Sequence, residues 1–534
     1  MDRVLGGGPL REIGRPRVVA IAPGGDRLAI GGELGRAQWH GHDVAARSRS
    51  HRGWYPLAVY RADDLSCEHL VTTGWPANAI AFHPTLPLVA VGTGSYDGGW
   101  SYEGELVLLD LTTGAAVSLL QYPREVRRVA WADPQTLDLV LAVPCDEDEE
   151  QYATTSLACS IRRDDWDRAT ARMLRAPYGE TPVPDGPRTD PAAGAAIVEE
   201  LCRERGRPWA PRRAVWAVES LPGGRILAAL EGVRLECWSP TSDEPLWRLP
   251  SDGTGCQVKV RPGARTALVL TQTPNRFEDR GWTHDPSVVT EVDLADGAVL
   301  ATHEPGSHVV LVTRADGGWA WRDAEFVPEA TGTAVVHAPG AAEPATVAIG
   351  RYDLFNHYFD IRRAPDLLFL QGREDKPSLE KWVVTSDGRR LFPLEWDAAR
   401  GKHLFGGCGA YLEDASGPSL VHAGAIHDWA GLLKGNAFVV RRAYPGGELQ
   451  WVFTADCRAT ALDADEDFVY VAFNDGELVV LRAGDGSVYT RRELRIDGHR
   501  AIPLSLARLD PGRLAIGTLD GRIVIWPVQD QAAA

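Results

Sequence analysis

No stretch of this 534-residue sequence holds the ~18 consecutive apolar residues of a membrane-crossing helix. Residues 1–14 lack the apolar centre of a secretory signal, so a cytoplasmic location is the expectation. A positive surplus is missing too. The 73 acidic and 56 basic residues leave a formal net charge of -17, which repels a phosphate backbone and argues against nucleic acid as a partner. The eight cysteines form no C-x-x-C pair and sit mostly in or beside apolar strands, so they read as free buried thiols rather than metal or redox groups. Also absent are a G-x-S-x-G elbow, a Walker A sequence, an H-E-x-x-H motif and a dinucleotide fingerprint. The sequence therefore assigns no catalytic residue, no metal site and no cofactor.

What is present is repetition. Hydrophobic residues make up 44% of the chain, enough for a large core. One template recurs at 18–32 (VVAIAPGGDRLAIGG), 79–93 (AIAFHPTLPLVAVGT), 215–230 (VWAVESLPGGRILAAL) and 504–518 (LSLARLDPGRLAIGT). An apolar alternating strand leads through a Pro/Gly/Asp turn into a second apolar strand. A third follows, as in GELVLLDLTTG at 104–114 and GELVVLRAGDG at 476–486, and a short fourth usually closes the unit. Four antiparallel strands per unit with little helix between units predicts an all-β propeller.

The final unit carries Gly498-His499 before its first strand, Asp520-Gly521 in a tight turn and Ile525-Trp526 at the end of its third. It resembles a WD40 repeat, with Pro527 after Trp526 where that family usually has Asp. The resemblance implies a WD40-like disc of four-stranded blades across residues 1–534. First strands are expected near 18, 78, 126, 215, 255, 308, 354, 403, 459 and 502, as one large ring or two propellers. The last unit ends after three strands, and residues 10–13 offer a strand to complete it. Residues 176–213 break the pattern, as a Pro-rich loop and then a helix from Pro191 to Gly206, either a boundary between two propeller parts or a long connection.

The insertions are one-sided. Segments 33–56, 94–104, 144–155, 273–287, 372–380 and 425–436 are all placed between second and third strands, whereas turns between first and second strands are short. Three of these loops carry Gly-Trp ahead of the third strand, at Trp54, Trp100 and Trp282. The tryptophans either plug their own loops or line one binding rim. The partner-binding candidates are Trp54, Tyr55, Trp100, Tyr102, Arg276, Arg280, Trp282, His284, His427 and Trp429. His40, His42, Asp43 and His51 match no metal-ligand spacing, and His83 reads as structural. The acidic run 146–150 reads as a solvated face and 463–467 as a turn. The expected function is a non-enzymatic scaffold that presents this face to another protein. The alternative is an enzyme or small-ligand binder at the mouth of a central channel, using His42, Arg276, His284, His427 and Asp428.

Overall fold

The computed structural model describes residues 3–528 apart from 36–53, 97–101, 144–154, 176–179, 187–188, 264, 274–275, 279–280, 284–285, 324–331, 352–358, 374–379, 397–402 and 429–430. Among the described residues the regular elements are all strands except for one α-helix, Pro191–Glu204, and a few short 3-10 turns. Of the twelve sheets among these described residues, six have four antiparallel strands, five of them in sequence order.

The template explains the sheet. In the first unit Arg15–Ile21 and Arg27–Glu33 are joined by a turn in which Gly25 has φ +71 and its N–H donates to Ala22 O at 2.8 Å. Second strands read as unbroken apolar runs because both of their faces are covered by other apolar layers. Leu28 and Ile30 fall in one apolar cluster, and Ala29 falls in another with Ala77, Val89 and Val91 of the next sheet. Glycines recur near the ends of second strands where the next first strand comes close. A Cβ on Gly92 would lie 2.8 Å from Val126, and one on Gly517 would lie 2.5 Å from Val215.

Seven first strands share an irregularity that sequence cannot display. Pairing with the second strand slips at Pro16/Val18, Ala77/Ala79, Val126/Arg128, Val215/Ala217, Gly255/Gln257, Ala459/Ala461 and Pro503/Ser505. A bulge at one place in each unit adds the same local twist to each. It marks these sheets as repeats of one design.

The chain divides into two compact units. The smaller comprises residues 7–36 and 52–211 and holds three sheets, whose first strands are Arg15–Ile21, Ala77–Phe82 and Val126–Trp131. Neighbouring first strands pack side by side. The helix lies against Arg15–Ile21 and buries Val198 and Cys202 against Leu10, Ile13 and Ile30. Asp190 caps it by accepting the Ala192 N–H at 2.9 Å, with Pro191 in the first turn. The Pro-rich stretch before it contributes Thr181–Pro184, the fourth strand of its sheet.

The larger unit, residues 3–6 and 212–528 among those described, holds the other seven first strands. Val215–Ser220 packs beside Pro503–Asp510 and beside Trp247–Val260. Gln257 and Leu311 exchange side-chain to backbone hydrogen bonds, and Val309–Thr313 lies beside Asp360–Arg362. Asp360–Arg362 pairs in parallel with Cys408–Ala410, His403–Asp414 packs beside Ala459–Ala464, and that strand packs beside Pro503–Asp510.

Three expectations need correction. The strand that completes the last sheet is Arg3–Leu5, antiparallel to Ile523–Pro527 with Arg3 opposite Ile525, and not 10–13. Residues 11–13 form a 3-10 turn because Leu10 is left-handed, at φ 56, and breaks the extended chain. The unit expected from 354 does not form one four-stranded sheet, since Asp360–Arg362 joins the following unit and leaves Leu368–Gln371, Trp382–Thr385 and Arg390–Pro393 as a three-stranded sheet. The units starting at 215 and 255 fuse, because Trp247–Val260 runs unbroken from one into the other.

Candidate functional site

Five of the six long segments fall between second and third strands, and another, 324–332, escaped the sequence pattern. Segment 425–436 instead extends the paired strands Gly417–Asp428 and Gly431–Ala443, which only residues 429–430 separate. Turns between first and second strands span only two to five residues in every unit. Of the expected rim residues, Trp100, Arg280, His284 and Trp429 lie outside the described residues, as do His40, His42, Asp43, His51 and the acidic run 146–150. Arg276 and Trp282 sit on the small hairpin Arg276–Glu278 and Gly281–Thr283, and His427 lies on Gly417–Asp428 opposite His403. Trp54 is half-buried and its backbone N–H donates to Gly35 O at 2.7 Å, next to the half-buried Tyr55. Tyr102 is also half-buried, 5.1 Å from Tyr96 between ring centroids and 5.1 Å beneath the Arg127 guanidinium.

The most concentrated polar chemistry of the larger unit lies elsewhere. Six of its first strands converge on a cavity of about 100 Å³, lined among others by Glu219, Lys259, Asp360, Arg362, Cys408 and Arg458. Each charged group has at least one partner, although Asp360 Oδ1 is buried without one. Lys259 pairs with Asp360. Arg362 donates to Glu219 at 2.8 Å and to Val218 O at 3.0 Å, and Arg458 donates to Gly406 O at 2.7 Å. The hydroxyls tie strand to strand, Ser505 to Val215 O and Thr460 to Pro503 O, both at 2.8 Å. Burial keeps the two thiols protonated: Cys408 is pushed up to about 12 and Cys256 higher still.

Beyond the cavity the network continues into 463–467, the end of the strand Ala459–Ala464 and the turn after it. Asp463 accepts from Arg363 and from the Arg508 backbone N–H at 2.9 Å, while Asp465 accepts from the Tyr470 hydroxyl at 2.9 Å and Arg508 at 3.1 Å. Burial opposes the charge on Asp463, but Arg363 and Arg362 outweigh it and hold the carboxyl at about 2. Burial likewise opposes the charge on Arg362, and Glu219, Asp463 and Asp360 outweigh it, so this guanidinium is held more firmly charged than usual. Only 465–467 form the expected turn, since Asp463 and Ala464 end the strand Ala459–Ala464, and the segment is also a junction of four charged side chains.

A second buried cluster joins the beginning and end of the larger unit. Arg212 grips Glu236 with two bonds of 2.8 Å and donates to Gly521 O at 2.9 Å, and Trp238 and Arg248 donate to the same carboxylate at 2.9 and 2.7 Å. Glu236 is fully buried, and although burial disfavours its charge, Arg212 and Arg248 bring its pKa below the ordinary value.

His83 is structural as read: its ring bonds Pro134 O at 2.9 Å and accepts the N–H groups of Thr85 and Leu86, and burial lowers its pKa. Sequence reasoning passed over Glu219, Lys259, Asp360 and Arg362. The available signal was a charged residue inside an apolar first strand, as in QVKV and FDIR. No family model matches the chain, and no curated protein matches it.

Proposed function

We propose that the chain is a WD40-like propeller protein that acts as a non-enzymatic scaffold and presents its insertion-bearing face to a protein partner. The observation that carries this reading is the bias of the loops: six long segments between second and third strands, against two to five residues in each opposite turn. Loops on an unused face tolerate insertion as readily as loops on the other, so the bias fits selection for a contact surface. The neighbour relations of the larger unit support a ring of seven blades. Followed from Val215–Ser220 through the sheets, the sequence of touching first strands returns to Val215–Ser220. Completion of the last sheet by Arg3–Leu5, with Leu5 packed among Val215 and Ile523, fits the same closure.

The test is partner capture by cross-linking in the native host. Trp54→Ala should weaken capture by about 2 kcal/mol or more without moving the melting temperature. Pro262→Glu and Pro511→Glu, in exposed turns of the opposite kind, should leave it intact. Loss of capture in the turn variants alone would show that the other face binds.

A further inference from the structure

The smaller unit contains a pocket of about 320 Å³ that the scaffold reading does not use, and the inference drawn from it does not rest on that reading. We propose that this pocket binds an oxyanion, a carboxylate or phosphate group, carried on a flat or apolar body.

The polar groups around it are out of balance. Arg127 comes from the third first strand, and its side chain is only 5% exposed. Its Nε donates to Glu125 at 3.1 Å, and its Nη1 reaches Thr155 O at 3.1 Å, the Ser156 hydroxyl at 2.7 Å and Asp185 at 3.1 Å. Glu125 also accepts from Asn78 at 3.3 Å, and Asp185 from Ser156 at 2.9 Å. Both carboxylates are thus engaged, yet the Nη2 of Arg127 is buried without a partner. Arg17 repeats the pattern. It donates to Glu33 at 3.2 Å through Nη1, while its Nε is buried with no partner. The third guanidinium, Arg128, is exposed and makes no hydrogen bond or ion pair among the described residues.

Every unfilled polar group in that set is a donor. A buried guanidinium N–H without an acceptor costs about 1–3 kcal/mol, so a native site that keeps two of them fits a ligand that brings acceptors and no donors. Carboxylates and phosphates are such groups, and the planar guanidinium matches their spacing. The placement of Arg128 is built in. It lies against Gly186, where a Cβ would stand 1.5 Å from its Nη2, so a side chain at 186 would push the guanidinium aside. Tyr96 and Tyr102 form the apolar wall against which a ring or chain attached to the anion would rest.

The experiment titrates the full-length protein with inorganic phosphate, acetate and benzoate at constant ionic strength, by calorimetry and thermal shift. Phosphate or benzoate should bind with a Kd below about 1 mM. Arg128→Gln, on the exposed side of the pocket, should weaken binding about tenfold while leaving the ligand-free melting temperature in place, and Gly186→Ala should do the same by displacing Arg128. Tighter binding of benzoate than acetate, reduced by Tyr96→Ala, would assign a carboxylate on a ring; tighter binding of phosphate, untouched by Tyr96→Ala, would assign a phosphate. Failure of all three anions to bind more tightly than chloride would overturn the proposal. So would binding that survives both Arg128→Gln and Gly186→Ala.

Discussion

The two units use one sheet design, but the guanidinium groups that line their pockets are treated differently. In the larger unit the charged side chains around the cavity pair with each other or with backbone carbonyls, so polarity there joins strands that are far apart in sequence: Arg362 with Glu219, Arg363 with Asp463, Lys259 with Asp360. In the smaller unit the carboxylates are matched while guanidinium donors remain unfilled on Arg17 and Arg127. Guanidinium groups answered within the fold serve cohesion. Charge left partly unanswered is available to a ligand.

This contrast can be broken at the Glu236 cluster first. Glu236→Ala leaves Arg212 buried without its carboxylate and should cost about 3–5 kcal/mol. Hydrogen exchange should show deprotection across 215–260 and 503–527 with peptides of 15–143 unchanged, and equal deprotection of both regions would mean that the units do not hold their charge networks separately. Next in size, removing residues 1–6 uncovers the edge of Ile523–Pro527 and the pocket filled by Leu5, for a loss of about 2–4 kcal/mol read by denaturant unfolding. An unaltered midpoint would mean that this strand pairing contributes nothing to stability.

The third test is acid. Because Asp463 is held at about 2 when folded and returns to its ordinary value near 3.8 when unfolded, its stabilisation is complete above about pH 4 and is lost as pH falls toward 2. The amount is on the order of 2 kcal/mol. Asp463→Asn should flatten the stability profile between pH 4 and 2, and a profile as steep as the parent's would place the acid sensitivity elsewhere. Smallest is Tyr470→Phe, which removes the hydroxyl bond to Asp465 and should cost about 1 kcal/mol in thermal unfolding.

What the sequence made legible follows from the range of the forces involved. First strands were placed to within a few residues at nine of ten positions, because alternation and a short turn are local properties. At the tenth, the strand begins at Asp360 rather than near 354, and its pairing is with Cys408, about fifty residues onward. The helix start at Pro191 was local as well. The bulges were invisible, since a slip of register needs two strands to be seen. The ion networks were missed because Arg363 and Asp463, or Arg212 and Glu236, meet only in the fold. Asp465, which sequence alone would treat as a neutral turn residue, accepts from Tyr470 and Arg508. Glu236 did leave a trace, as an acid two residues before Trp238 in an apolar strand.

The pairing of Arg3 with Ile525 also sets a timetable. At about 5–20 residues per second, translation separates these partners by roughly half a minute to two minutes. During that interval Arg3–Leu5 has no strand to join, and once Ile523–Pro527 emerges, its outer edge stays open until the beginning of the chain returns. The slowest and most aggregation-prone step of folding should therefore follow the synthesis of Ile523–Pro527, when a loop running from Leu5 to Ile523 must close.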